Sequence, residues 1–453
     1  MAESTNTIQK EIQDREAKEK RELRRKRRRR NQILAILTLL LFVCLIVAII
    51  GTGVWYIMHR GAGKTAGGGA STTQETTIDN LFESEDEIVK PEETNTEPTL
   101  TPEQQLDAIL DEAFISQMPL EDKVAGLFIV TPESITGVNK AVKAGDGTKD
   151  ALNKYAVGGI VYASQNMQDA AQFTEMVSNT TLYSRYALFT CVAEEGGSST
   201  SLEKAGLADK TDSEQAMGTG ADAAKAYEAS GKIADSMLTY GLNLNFAPVA
   251  DLATVQDSYL KDASYGSDAA LAASFVTSAV QGMQEKGISS CLKYFPGAAD
   301  MKEDPATGMA SSERTAEQLA AEEFTVFKAG IDAGADMVMV GHVAVPALTG
   351  DNTPCSLSSA VITDKLRNEL GFNGVIITDA MNKGAITEYY EADEAAILAL
   401  KAGCDMILCP DDFEKAYNGV LEAVQNGTIS EERINDSLRR IYRIKYASMM
   451  PEE

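Results

Sequence analysis

"EEFTVFKAGIDAGADMVMVGHV", Glu322 to Val343, reads as an amphipathic stretch followed by a short apolar, β-branched run. This helix-then-strand pattern repeats along the chain from about Thr101. Eight strand candidates stand out: "GLFIV" from Gly126, "GGIVYA" from Gly158, "ALFTCVA" from Ala187, "LNLNFAPV" from Leu242, "SSCLKYF" from Ser289, "MVMVGHV" from Met337, "GVIITDA" from Gly374 and "MILCP" from Met406. Amphipathic stretches such as "ADAAKAYEASGKIADSMLTYG" separate most of them. Alternating strands and helices imply a parallel sheet, and eight repeats imply a closed barrel. A doubly wound open sheet is the alternative, but it usually has fewer strands and a glycine-rich first turn, which nothing here matches. The expected fold is therefore α/β, a (β/α)8 TIM-type barrel over residues 104–450.

Outside that pattern the chain changes character. It has 453 residues and a net charge of −26, unevenly spread. Residues 1–30 hold 12 Lys/Arg against 6 Asp/Glu, whereas the remainder holds 29 basic and 61 acidic residues. So acidic a body repels nucleic acid, whose binding rests on phosphate neutralisation. Ile33 to Met58 contains no charged residue and follows "RRKRRRR", Arg24 to Arg30. At ~1.5 Å per residue the run exceeds the ~30 Å hydrocarbon core of a bilayer. Clustered Lys/Arg beside a span stays cytoplasmic. Residues 1–30 are thus expected to be a basic cytoplasmic segment. Residues 31–60 are expected to be a single transmembrane signal-anchor helix, with the membrane met by residues 33–58 and the barrel extracellular. A cleavable signal peptide would have a shorter apolar core and a small-residue cleavage site. Residues 61–103 are rich in Gly, Thr, Ser, Glu and Pro, and read as a flexible linker. "GAGKT" within it imitates a phosphate loop, but Met58 stands where the first glycine is required.

There are six cysteines. Cys44 lies in the apolar span, and Cys191, Cys291, Cys355, Cys404 and Cys409 fall in or near the barrel pattern. Buried free thiols are the favoured reading, with one disulfide as the alternative in an oxidising exterior. His59 and His342 are the only histidines, no Cys/His spacing suits zinc, and no metal or cofactor is expected.

In such barrels the chemistry sits at the C-terminal ends of the strands. Those ends carry Glu194 and Glu195, then Asp251, Lys293 with Tyr294, His342, Asp379, and Asp411 with Asp412. Several carboxylates around one lysine suit a polyhydroxylated ligand or a glycosidase. The competing reading is that individual members cap helices or fill the barrel.

The same strand ends resemble glycoside hydrolase family 3, in its single-barrel β-N-acetylhexosaminidase branch, over about residues 104–447. "MPLEDKVAGLFIV", "GGIVYASQN", "EEGG", "LNLNFAPVADL", "SYGSDA", "KYFPG", "GADMVMVGHVAVPAL" and "LGFNGVIITDAM" carry the resemblance, in family order. It implies a retaining glycosidase acting on O-glycosyl bonds of amino-sugar glycans or wall fragments. It makes Asp379 the nucleophile and Lys293 a surviving sugar contact, while the strand ends themselves place Tyr294, Glu194, Glu195 and His342 on the substrate side. The chain also departs from the pattern. Ala306 stands where the branch has its acid/base histidine, while Asp304 keeps the aspartate of that dyad. Tyr294 replaces a histidine, Ala193 a sugar-binding aspartate, and Ser198 and Ala263 two arginines. Asp304, Glu303 and Asp300 are the candidate substitute acids, if the pKa of one is raised. Two-domain relatives supply the acid from a following domain, which is not expected in a chain ending at Glu453. Two functions follow: a membrane-anchored cell-surface glycosidase of altered specificity, or an inactive barrel that binds carbohydrate or acts as a cell-wall scaffold.

Overall fold

The computed structural model describes residues 102–297 and 300–447. Eight strands close into a barrel: β1 (Phe128–Val130), β2 (Gly159–Val161), β3 (Phe189–Val192), β4 (Leu244–Asn245), β5 (Ser289–Phe295), β6 (Met337–Val340), β7 (Val375–Ala380) and β8 (Met406–Leu408). Neighbours in sequence are neighbours in space, and every pairing is parallel. Ile160 pairs with Thr190, Cys291 with Met337 and Val338 with Ile376, and Phe128 opposite Ile407 closes the ring. All eight strands read from the sequence are present. The fourth is shorter than its apolar run, because Pro248 has no N–H to give the ladder. Pairing resumes only at Val249, opposite Lys293.

The strands are buried on both faces, as parallel strands between a barrel interior and a helical shell must be. Phe128, Ile129 and Val130 are fully buried, and so are Met337, Val338 and Val340. The helix preceding β6, Glu323–Asp332, turns Phe324, Val326, Phe327 and Gly330 inward. A Cβ on Gly330 would lie 2.7 Å from Leu292 and 2.9 Å from Val276, so glycine is what lets this helix settle against β5. Side chains of Asp169, Asp268, Thr315, Asp412 and Ser430 accept the N–H three residues on and start their helices, each contributing typically ~1 kcal/mol.

At the foot of β8, Asp405 is fully buried. Its carboxylate accepts from Arg367 at 2.8 Å, Arg440 at 2.9 Å, Ser437 at 2.8 Å and the Ile376 N–H at 3.0 Å. The helix Glu431–Lys445 is thereby fastened to the barrel floor. That helix also holds the first one, Pro102–Ala113, through Arg439 on Asp111 at 2.7 Å and Arg443 on Asp107 at 2.6 Å. The expected basic segment, anchor and nearly all of the linker lie outside the described residues. No helix among the described residues is long and apolar enough to cross a membrane.

Candidate active site

Asp379 ends β7 at the C-terminal mouth of the barrel and is 6% exposed. Its Oδ1 accepts from the Ala380 N–H at 2.7 Å, and its Oδ2 from the Lys383 ammonium at 2.7 Å. Burial by itself would raise this carboxyl. The Lys383 charge and the two hydrogen bonds outweigh it and hold the pKa below the ordinary value, so the group stays ionised. His342, after β6, supports the same turn. Its Nε2 lies 3.0 Å from the Ala380 carbonyl, which can only accept, so Nε2 carries the proton. Nδ1 faces the Ser356 hydroxyl at 2.7 Å. Burial lowers the imidazole pKa against the pull of Asp379, which favours the neutral ring.

One strand over, β5 presents Lys293 and Tyr294. Lys293 is 2% exposed and forms an ion pair with Glu195, which is 9% exposed. Glu214 lies behind them, 2% exposed, with both oxygens on the Val249 N–H at 3.1 and 3.2 Å. Burial pushes the Glu214 carboxyl well above its ordinary pKa, the Glu195 charge adds to this, and Lys293 opposes it. The Lys293 ammonium is thus committed to a buried internal partner. Between the two ion pairs stands the Tyr294 ring, with Lys383 Nζ 5.4 Å and Lys293 Nζ 5.5 Å from its centroid. Burial, and then the charge of Asp379, keep the phenol protonated.

Tyr294, Tyr259, Pro305, His342 and Lys383 close around Asp379. They leave ≈ 10 Å³ for the centre of a water-sized sphere, room for about one water molecule. The segment after β5 makes this roof by lying against the turn after β7. A Cβ on Gly384 would meet the Gly308 nitrogen at 2.8 Å. Among the described residues, Tyr259, Tyr294 and the 304–309 segment stand where a pyranose beside Asp379 would need space.

Several residues read from the sequence have other occupations. Glu194 does not reach the Asp379 pocket. Its Oε1 accepts from the N–H groups of Ser201 at 2.6 Å and Leu202 at 2.7 Å, and burial lifts its pKa to about 7. Asp304 is exposed and caps its own turn through the Ala306 N–H at 2.8 Å. Asp300 is tied to the Ser312 hydroxyl at 2.6 Å and the Glu313 N–H at 3.0 Å. Glu303 is exposed, and Asp251 is buried beside the Leu252 N–H at 2.9 Å. Asp412 is a helix cap, and with Asp411 it lines a separate cavity outside β7 and β8. Cys191, Cys291, Cys355, Cys404 and Cys409 are free thiols. Among the described residues no group of three or more His, Cys, Asp or Glu side chains is arranged to hold a metal ion.

Sequence reading missed Lys383, Tyr259, Ser356 and Glu214. Lys383 had a signal, a cation four residues beyond the nucleophile position. Tyr259 lies in a long loop and Ser356 in a short 3-10 turn, Cys355–Leu357, and no periodicity marks either. What the arrangement offers chemically is one ionised carboxylate at a barrel mouth, walled by protonated phenols and an ammonium, with no second carboxyl among the described residues of the pocket wall.

The glycosyl hydrolase family 3 N terminal domain matches residues 119–444. A β-hexosaminidase of Stenotrophomonas maltophilia (strain R551-3) is 30% identical over 284 residues, covering 60% of this chain and 82% of that protein. The structure of a glycoside hydrolase family 3 β-N-acetylglucosaminidase from Paenibacillus sp. str. FPU-7 superposes with a TM-score of 0.69 at 32% identity, covering 74% of this chain and 64% of that one. The β-N-acetylhexosaminidase of Beutenbergia cavernae gives a TM-score of 0.65 at 26% identity, covering 73% and 99%. With eight parallel strands in the expected order and a carboxylate at the end of the seventh, the chain belongs to glycosyl hydrolase family 3.

Proposed function

We propose that the chain is a retaining glycosidase of the β-N-acetylhexosaminidase type, held at the cell surface, with Asp379 as nucleophile and a weakened acid/base step. The observation that carries this reading is the geometry at Asp379, whose oxygens accept from the Lys383 ammonium and the Ala380 N–H, an arrangement that favours the ionised carboxylate despite burial. An Oδ of Asp379 forms the bond to the anomeric carbon as the bond to the leaving oxygen breaks, and water later releases the sugar. The leaving oxygen needs a proton when its own pKa is high. Burial raises the phenols of Tyr259 and Tyr294 well above their ordinary values, which weakens both as acids. Asp304 keeps Oδ1 on its own turn and is not among the residues that close around Asp379. Glycosides with acidic leaving groups should therefore react, and natural glycosides slowly. The names of the relatives support an amino-sugar glycan as substrate. The uncharged run Ile33–Met58 behind Arg24–Arg30 supports a single-pass anchor with the barrel outside.

The test is intact-protein mass spectrometry after incubation with activated aryl hexosaminides and glucosides. A sugar adduct that disappears in Asp379→Asn supports the reading. Failure of every activated glycoside to form one, with Asp379→Asn silent, would move the chain to the second reading. That reading, a non-hydrolysing carbohydrate-binding or wall-scaffold barrel, is favoured by the ≈ 10 Å³ left beside Asp379.

A further inference from the structure

A second cavity lies away from Asp379. It is ≈ 230 Å³ and opens between the hairpin that follows β3 and the helix Ala224–Thr239. The hairpin pairs Glu194–Gly196 with Ser199–Thr200. Glu194 and Thr200 line the cavity from its two strands, and Glu203 from the turn beyond. Leu202, Ala208 and Ile233 supply an apolar wall.

Three features mark this as more than a surface dent. Thr200 is 4% exposed, and its hydroxyl has no hydrogen-bond partner. Glu203 Oε2 is buried and also without a partner. A buried polar atom left without a partner is costly, so a role for a hydrogen-bonding ligand is implied. Glu194, 3% exposed, stands close enough to Glu203 for that charge to act on its carboxyl. The buried groups are thus two carboxyls and a hydroxyl against an apolar wall, with the exposed side chains of Asp209, Lys210, Lys232 and Asp235 at the rim. Glu194, Glu203, Asp209 and Asp235 outnumber Lys210 and Lys232, so the lining is acidic on balance and disfavours an anion, and an apolar ligand leaves Glu203 Oε2 and the Thr200 hydroxyl unanswered. An ammonium group offers three donors and one positive charge in a compact head.

We infer that this cavity is a binding site for a small primary amine, whose ammonium group lies between Glu194 and Glu203 with Thr200 as third partner and whose body rests on Leu202, Ala208 and Ile233. Amino sugars with a free amine and simple alkylamines share this chemistry. The site makes no use of Asp379, so it stands or falls independently of glycosidase activity.

Isothermal titration of the whole protein with glucosamine, propylamine and N-acetylglucosamine tests it. Saturable binding of at least one of the two amines is expected, at least tenfold tighter than N-acetylglucosamine, whose amide carries no charge. Glucosamine alone binding would identify a sugar body, and both binding an ammonium site indifferent to the body. Glu203→Gln should weaken the amine at least tenfold, and Asp379→Asn should leave it unchanged. Thr200→Val, close in shape, gives the same test by a several-fold loss if the Glu203 variant fails to fold. Absence of saturable amine binding overturns the proposal, and so does equal binding of N-acetylglucosamine. Unaltered affinity in the folded Glu203→Gln and Thr200→Val proteins does the same.

Discussion

The Lys383 ammonium lies 2.7 Å from Oδ2 of Asp379, four residues along the chain from the carboxylate it serves. Lys383 is 25% exposed by its side chain and Asp379 only 8%, so the pair is largely sheltered from solvent screening. The lysine both keeps the nucleophile ionised and occupies one of its two oxygens.

Replacing that lysine should separate the two effects. In Lys383→Met the Asp379 pKa rises, because burial is no longer opposed by the ammonium. A nucleophile must be ionised, so the acid limb of kcat/KM for an activated aryl glycoside should move to higher pH. At pH well above that limb, kcat should be equal to or higher than that of the parent, since Oδ2 is released. A pH–rate profile of both proteins measures this, and an unmoved acid limb would separate Lys383 from the nucleophile's charge.

The Tyr294 ring stands between Lys293 and Lys383 and takes up the space beside Asp379. Tyr294→Ala should therefore open the pocket. We expect measurable N-acetylglucosamine binding by titration calorimetry and a severalfold rise in the rate with activated hexosaminides. Loss of a large, mostly buried side chain should lower stability, on the order of 3 kcal/mol as for other core aromatic truncations. Unchanged sugar binding in a folded Tyr294→Ala protein would show that the roof segment 304–309, rather than the ring, excludes the sugar.

Asp405 answers three arginines from a position with no solvent exposure. Asp405→Ala leaves those cations clustered around a vacated site, and breaking a buried pair in this way typically costs about 3–5 kcal/mol. A fall of several degrees in melting temperature is expected. A change below about 1 kcal/mol would mean that solvent reaches the cluster.

Glu194 has a folded-state pKa of about 7 against an ordinary value of 4.5. The folded protein therefore binds more protons than the unfolded chain between those values, and the stability contributed by this group is lost as pH rises through about 7. Glu194→Gln keeps an oxygen for the Ser201 and Leu202 N–H groups and cannot ionise. Relative to this variant, the parent should lose stability between pH 4.5 and 7.5, by at most about 3 kcal/mol. Denaturant melts across that range measure the difference, and parallel curves would remove Glu194 as the titrating group.

Local pattern was enough for the architecture. The alternation of amphipathic and β-branched runs determined a parallel (β/α)8 barrel, because an eight-fold repeat of a strand buried on both faces has few other ways to bury itself. It also put Asp379, Lys293, Tyr294 and His342 at the barrel mouth, since each follows directly from where its strand ends. Which of these groups faces a ligand was a matter for the tertiary structure. Lys293 is 98 residues from Glu195, and only barrel closure brings them together. Glu194 and Glu195 are adjacent in sequence, yet the hairpin after β3 sends one into its own cavity and the other to Lys293. Tyr259 reaches Asp379 on a loop that carries no period to read. Strand ends obey local periodicity, whereas partners in a buried electrostatic network are chosen by contacts between distant segments, each charge settling where its desolvation is best offset.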